Sequence, residues 1–117
     1  MSTAEQLIQV GLLGEAVDLG PALVFVADET MRYVAVNRLA AETLGYERHE
    51  LLGLNVTDIA RYEDAPEEYA DMLARGRQEG VAILTHRDGH EIRMRYRASE
   101  TVAAHLGLYV SVGFVED

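Results

Sequence analysis

From Gly80 to the C-terminus the apolar residues recur with a period of two, and this alternation restricts the fold more than any other feature of the chain. Ile92, Met94 and Tyr96 alternate with Arg93, Arg95 and Arg97, the pattern of a strand with one buried face and one face left for water or a partner. Val81-Ala82-Ile83-Leu84-Thr85 comes before it, and the intervening Asp88-Gly89 is a two-residue hairpin signal that would pair Arg87 with His90. Leu106 to Val115 reads as the last strand, with Leu108, Val110, Val112 and Phe114 on one side and Tyr109, Ser111 and Gly113 on the other. The second half is thus an antiparallel meander, apolar on both faces.

The first half supplies two further strands and the helices. Ala22 to Ala27 is a short continuous apolar run, Arg32 to Val36 is another, and Asp28-Glu29-Thr30-Met31 is the turn between them. Asn37 stands where a helix cap is wanted, and Gly45 stops that helix. Short helical pieces are expected at Glu50-Leu51-Leu52 and around Asp58-Ile59. Pro66 opens a longer helix, closed by Gly80, with Tyr69, Met72 and Leu73 on one face. Ser2-Thr3-Ala4-Glu5 starts an N-terminal helix that runs to about Leu19 before Gly20-Pro21. Leu7, Val10 and Val17 mark one stripe on it, and Ile8, Leu12, Ala16 and Leu19 a second. The order predicts an α+β domain: a five-stranded antiparallel sheet, short helices on one face and the N-terminal helix covering the other.

Composition narrows the function classes. A chain of 117 residues suits one domain, divided here into a capping or dimerisation helix at 1–20 and a body at 21–117. A formal net charge of -10 repels nucleic-acid phosphates and anionic membranes, so neither is an expected partner. No stretch approaches the ~20 apolar residues of a membrane span, and a cytoplasmic location is expected. The chain has 0 cysteines, which removes disulfides, thiolate metal sites and cysteine nucleophiles.

Residues Val24 to Ala60, "VFVADETMRYVAVNRLAAETLGYERHELLGLNVTDIA", resemble the N-terminal half of a PAS domain. Asp28 matches the acidic residue that ends the family's first strand, and Asn37 the asparagine after the second; Gly45-Tyr46 and Glu50-Leu51-Leu52-Gly53 match its helical stretch. "HRDGHEIRMRYRAS" and "GLYVSVGFVED" resemble the later hairpin and the last strand, so the resemblance runs from about Ala22 to the C-terminus. Two departures stand out: Met31 replaces a common turn glycine, and Glu47 stands where a serine or threonine often caps the next helix. The resemblance implies a non-enzymatic sensory module that binds a small molecule between sheet and helices or pairs with another PAS domain.

Cofactor versions of the family sort by residue. Light-sensing flavin members carry a cysteine after "G-x-N", but Gly53-Leu54-Asn55 is followed by Val56, so no covalent flavin adduct can form. Haem members commonly supply a histidine from the long helix, and 66–79 contains none, which disfavours haem; His49 or His86 would have to ligate from elsewhere. Non-covalent flavin is disfavoured too, in a chain with 0 tryptophans and no flavin motif. His86, Asp88 and His90 have the spacing of a divalent-metal site, but a two-residue turn would put the histidines out of register, so no metal is expected. A small cone-shaped isomerase or hydratase is the enzyme alternative, with Asp28, Asp58 and Tyr96 in the catalytic roles; the two aspartates read better as turn and cap residues.

The expected ligand cavity draws Phe25, Ala27, Leu84, Met94, Tyr96, Tyr109 and Ser111 from strands, and Ile59, Tyr69 and Met72 from helices. Its occupant is an unidentified small aromatic or aliphatic molecule, acidic in one version. The opposite face, Leu108, Val110, Val112 and Phe114, is too apolar to stay bare. Together with Leu7, Ile8, Val10, Leu12 and Val17 it is the expected homodimer interface, and a ligand-free dimerisation module is the alternative. The output partner is not legible in the sequence.

Overall fold

Alternation becomes a sheet because each strand has one apolar face to bury. The structure, a computed structural model, describes residue 4 and residues 14–62, 77–103 and 105–116. Leu7, Ile8, Val10 and Leu12 of the N-terminal stripes, and Tyr69 and Met72 of the long helix, lie outside the described residues. The strands are β1 Leu23–Ala27, β2 Tyr33–Val36, β3 Ala60–Tyr62, β4 Arg77–Thr85, β5 Glu91–Ala103 and β6 Leu106–Val115. They form one sheet in the order β2-β1-β6-β5-β4-β3, every pair antiparallel.

Register assigns the two faces. Leu23, Phe25 and Ala27 of β1 stand opposite Gly113, Ser111 and Tyr109 of β6; beyond β6, Tyr96 and Ala98 of β5 face Gly113 and Ser111. These residues make the inner face, and Val24, Val26, Val110 and Val112 the outer one. Three short helices, α1 Arg38–Leu44, α2 Arg48–Leu51 and α3 Val56–Ile59, lie between β2 and β3 in the chain. Their buried residues Ala40, Ala41, Leu44, Leu51, Val56 and Ile59 join Leu23, Phe25, Val36, Leu84 and Met94 in one core.

Caps set the helix ends. The Asn37 side chain accepts from Ala40 N at the start of α1, and Gly45 ends it in the left-handed region at φ 77. At α3, Asn55 accepts from Thr57 N while Asp58 accepts from Asn55 N at 2.9 Å, so Asp58 is a cap residue. Asp28 is a turn residue: its Oδ1 accepts from Thr30 N, Thr30 Oγ1 and Arg32 N at 2.9, 2.7 and 3.1 Å.

Three expectations are corrected. The sheet has six strands, because Ala60–Tyr62 pairs with Ala82–Leu84 at the β4 edge. Gly80 does not close a helix: β4 starts at Arg77, held by pairing with Tyr96 to Ser99 of the long β5. The β4–β5 loop is also longer than a two-residue turn, because His86 N donates to His90 O at 2.9 Å and leaves Arg87, Asp88 and Gly89 between them. His86 therefore pairs with His90, and the register argument against their meeting does not hold.

Candidate functional site

Small residues open a space on the inner face. Ala27, Ala60, Ala82 and Ala98 stand there in place of larger side chains, and a cavity of about 260 Å³ lies above them. Its walls are apolar and aromatic: Phe25, Tyr33, Val56, Leu84, Met94 and Tyr96 all contribute. Phe25 and Tyr33 pack with ring centroids 5.6 Å apart at 41°. Polar character comes from Tyr109, Ser111 and Glu29. Among the described residues these three side chains have no hydrogen-bond or ion-pair partner, so their polar atoms are available to whatever enters. Among the described residues Glu29 is the one ionisable acid or base in the lining apart from the tyrosines.

Of the residues expected at the site, Phe25, Ala27, Leu84, Met94, Tyr96, Tyr109 and Ser111 line the cavity. Ile59 is buried in the core but is not part of the lining. Sequence reasoning missed Glu29, Met31, Tyr33, Val56, Ala60, Ala82 and Ala98. Glu29 and Met31 sit in a turn whose chain direction periodicity does not predict, and alanines carry no pattern signal. None of the 4 histidines lines the cavity.

The outer face is different. Leu108 and Val110 are half-buried, whereas Val112 and Phe114 are 40% and 55% exposed. Arg97 and Arg95 stand opposite Val112 and Phe114 in β5. Both arginines carry an ion pair, Arg95 with Glu116 at 3.1 Å and Arg97 with Glu79 at 3.0 Å. The helical residues 14–18 lie against β1 and β2 at the far side of this face, where Gly14 and Val17 share a groove with Val24, Val26 and Ala35.

This sheet, with its helices and cavity, has counterparts among known proteins. A family model described as a PAS domain matches residues 21–117. The chain belongs to the PAS domain family. Solved PAS domains share its fold at low sequence identity. One from a two-component sensor histidine kinase superposes with a TM-score of 0.80 at 12% identity, covering 95% of this chain and 99% of that one. The PAS domain of an HTR-like protein from Haloarcula marismortui gives 0.79 at 16%, covering 97% of each chain. That of nitrogen regulation protein NR(II) from Vibrio parahaemolyticus gives 0.75 at 9%, covering 90% of this chain and 98% of its own. The comparison with curated proteins finds no match.

As a PAS domain the chain places its motif residues in structural roles. Asp28 and Asn37 close the turns on either side of β2, and Gly45 supplies the left-handed residue after α1. Met31, at the position of the family's turn glycine, takes φ 64 and turns its side chain into the cavity lining. Glu47 caps α2 through its backbone, whose N–H donates to Glu50 Oε1 at 2.9 Å. No helix among the described residues is long and apolar enough to cross a membrane.

Proposed function

We propose that this PAS domain is a sensory module of signal transduction. It binds a small molecule non-covalently between sheet and helices, and it works as a homodimer without catalysis of its own. The observation that carries the reading is the cavity of about 260 Å³ with apolar walls and three polar side chains that have no partner among the described residues. Its polarity also selects among ligands. Among the described residues the lining holds a carboxylate at Glu29 and no lysine, arginine or histidine, so an acidic ligand would meet like charge without a counter-ion there. The ligand class is therefore neutral or cationic, with a ring or chain for the aromatic walls and a donor for Glu29 or Tyr109. This narrows the sequence-based expectation, which admitted acids.

Haem and flavin rank below such a ligand. No histidine lines the cavity to serve as an axial ligand, and the chain has 0 cysteines for a flavin adduct. The sensory role itself rests on family membership.

Thermal melting of the purified chain against neutral, cationic and anionic aromatic probes tests the ligand reading, together with native mass spectrometry for a co-purified molecule. Neutral or amine probes should raise Tm, and Ala98→Trp, which fills the cavity, should abolish the shift. No shift with any probe and no bound mass would leave the second reading, a ligand-free dimerisation module. That reading draws on Val112 and Phe114, which stay exposed as a shared apolar patch.

A further inference from the structure

The β4–β5 turn brings together three side chains that ligate metals, and none of them touches the cavity. His86 and His90 face one another with ring centroids 4.4 Å apart and planes 23° from parallel. Asp88 reaches both rings, its Oδ1 lying 3.2 Å from His86 Nδ1 and 2.5 Å from His90 Nδ1. All three donor atoms fall within 4.8 Å of one another. We propose that this turn is a divalent transition-metal site in which His86, Asp88 and His90 supply two nitrogens and one oxygen, with water completing the shell.

The donor set fixes the class of ion. Two imidazoles and one carboxylate suit Zn²⁺, Co²⁺, Ni²⁺ or Cu²⁺, whereas Mg²⁺ and Ca²⁺ take oxygen ligands. With metal–ligand bonds of about 2.0–2.2 Å, tetrahedral ligands stand roughly 3.3 Å apart. The His86–Asp88 spacing of 3.2 Å already meets that. The Asp88–His90 pair must open by somewhat under ~1 Å, and side chains that are 63% and 55% exposed are free to do so. Ligation through His86 Nδ1 gives up the hydrogen bond it accepts from Asp88 N at 3.1 Å, but that N–H is exposed and passes to water at small cost.

The surroundings hold the turn ready. A Cβ on Gly45 would come within 2.6 Å of the His86 ring, which shows how closely that ring packs on the α1–α2 connection. Arg87 fastens the turn to the same place: its N–H donates to Leu44 O at 2.9 Å, and its guanidinium pairs with Glu50 at 2.6 Å and lies over the Tyr46 ring. Hydrogen bonding within the turn explains part of the cluster, since His90 N donates to Asp88 Oδ1 at 2.9 Å. The His90 Nδ1–Asp88 Oδ1 contact at 2.5 Å is a further such bond, and a metal would take its place by binding both atoms.

The test is isothermal titration of the tag-free full chain with ZnCl₂, NiCl₂ and MgCl₂ at pH 7.5, with circular dichroism to verify folding. One Zn²⁺ or Ni²⁺ per chain is expected, with a Kd on the order of micromolar, weaker than a closed four-ligand site. Because His86 also packs on Gly45, the exposed His90 and Asp88 carry the decisive variants: His90→Ala and Asp88→Asn should each weaken Zn²⁺ binding at least tenfold. His49→Ala and His105→Ala should leave it unchanged. Absence of Zn²⁺ and Ni²⁺ binding below 1 mM, equal affinity for Mg²⁺, or an equal loss with the two control variants would overturn the assignment.

Discussion

Asn37 is 6% exposed and is the buried polar residue of the described core. Both ends of its amide are used. Oδ1 accepts from Val24 N and Ala40 N at 3.0 Å each, and Nδ2 donates to Val17 O at 2.6 Å and Ala22 O at 2.9 Å. One side chain thus joins the end of the N-terminal helix, β1 and the first turn of α1. Replacement by alanine takes the side-chain partner from Val24 N and Ala22 O and removes a cap, so Asn37→Ala should lower stability by about 2–4 kcal/mol in urea unfolding. Asn37→Asp keeps the acceptor but faces both carbonyls with a carboxylate, and it should lose stability as well. A wild-type unfolding midpoint in Asn37→Asp would mean that the two donor bonds contribute nothing.

Among the elements, β6 shows how backbone packing shapes the inner face. A Cβ on Gly113 would lie 2.7 Å from Met94 Cγ and Sδ and 2.8 Å from Arg95 O. Met94 can turn aside, but the carbonyl belongs to the β5 backbone and cannot. Gly113→Ala should therefore cost about 1–3 kcal/mol through overpacking, read as a lower Tm. The outer face of the same strand makes the opposite prediction. Phe114→Glu with Val112→Glu removes the exposed apolar patch while the core keeps its contacts. This variant should melt like wild type yet run as a monomer in light scattering; an unchanged dimer would remove the patch from the interface.

Elements also show what is legible in sequence. β6 was readable to the residue, Leu106 to Val115, because ten residues of alternation exceed chance. α1 was readable from its two caps, Asn37 and Gly45. β3 was not, since three residues hold too little period to detect. Nor was the start of β4: Arg77-Gln78-Glu79-Gly80 is polar, and only its partner strand makes it extended. The hairpin register failed at one residue, where Gly89, at φ 97, completes a three-residue loop in place of a two-residue turn. Half of the cavity walls were legible as inward-facing residues. Its empty volume was not, because it comes from alanines spread over four strands, Ala27 in β1, Ala60 in β3, Ala82 in β4 and Ala98 in β5.

For the molecule as a whole, charge and acid response are coupled. Four carboxyls titrate below their usual range: Asp28 through the Thr30 hydroxyl and Arg32 N–H, Glu50 through Glu47 N–H and Arg87, Asp88 through His90, and Glu91 through Arg61. A carboxyl whose folded pKa is depressed adds stability above its unfolded value, near 4, and loses it as pH falls through the folded value. Protonation also relieves the repulsion of a chain with net charge -10, which acts the other way. Salt separates the two, because about 0.5 M shortens the screening length to a few ångströms. At that ionic strength the urea midpoint should hold steady down to about pH 5 and then fall towards pH 3. A midpoint that rises over that interval would show that the four depressed carboxyls do not govern the acid limb.

Asn37 has a mechanical corollary. The helical residues ending at Asp18 are riveted to the body at two neighbouring points, Val17 O to Asn37 and Asp18 to both Arg38 N and Arg48. A hydrogen bond tolerates only ~0.5 Å of stretch before it weakens, so the joint has almost no slack. A pull on the segment before Leu19 must either shear these bonds or carry the head of α1 with it, and α1 buries Leu44 in the same core as the cavity walls Phe25 and Leu84.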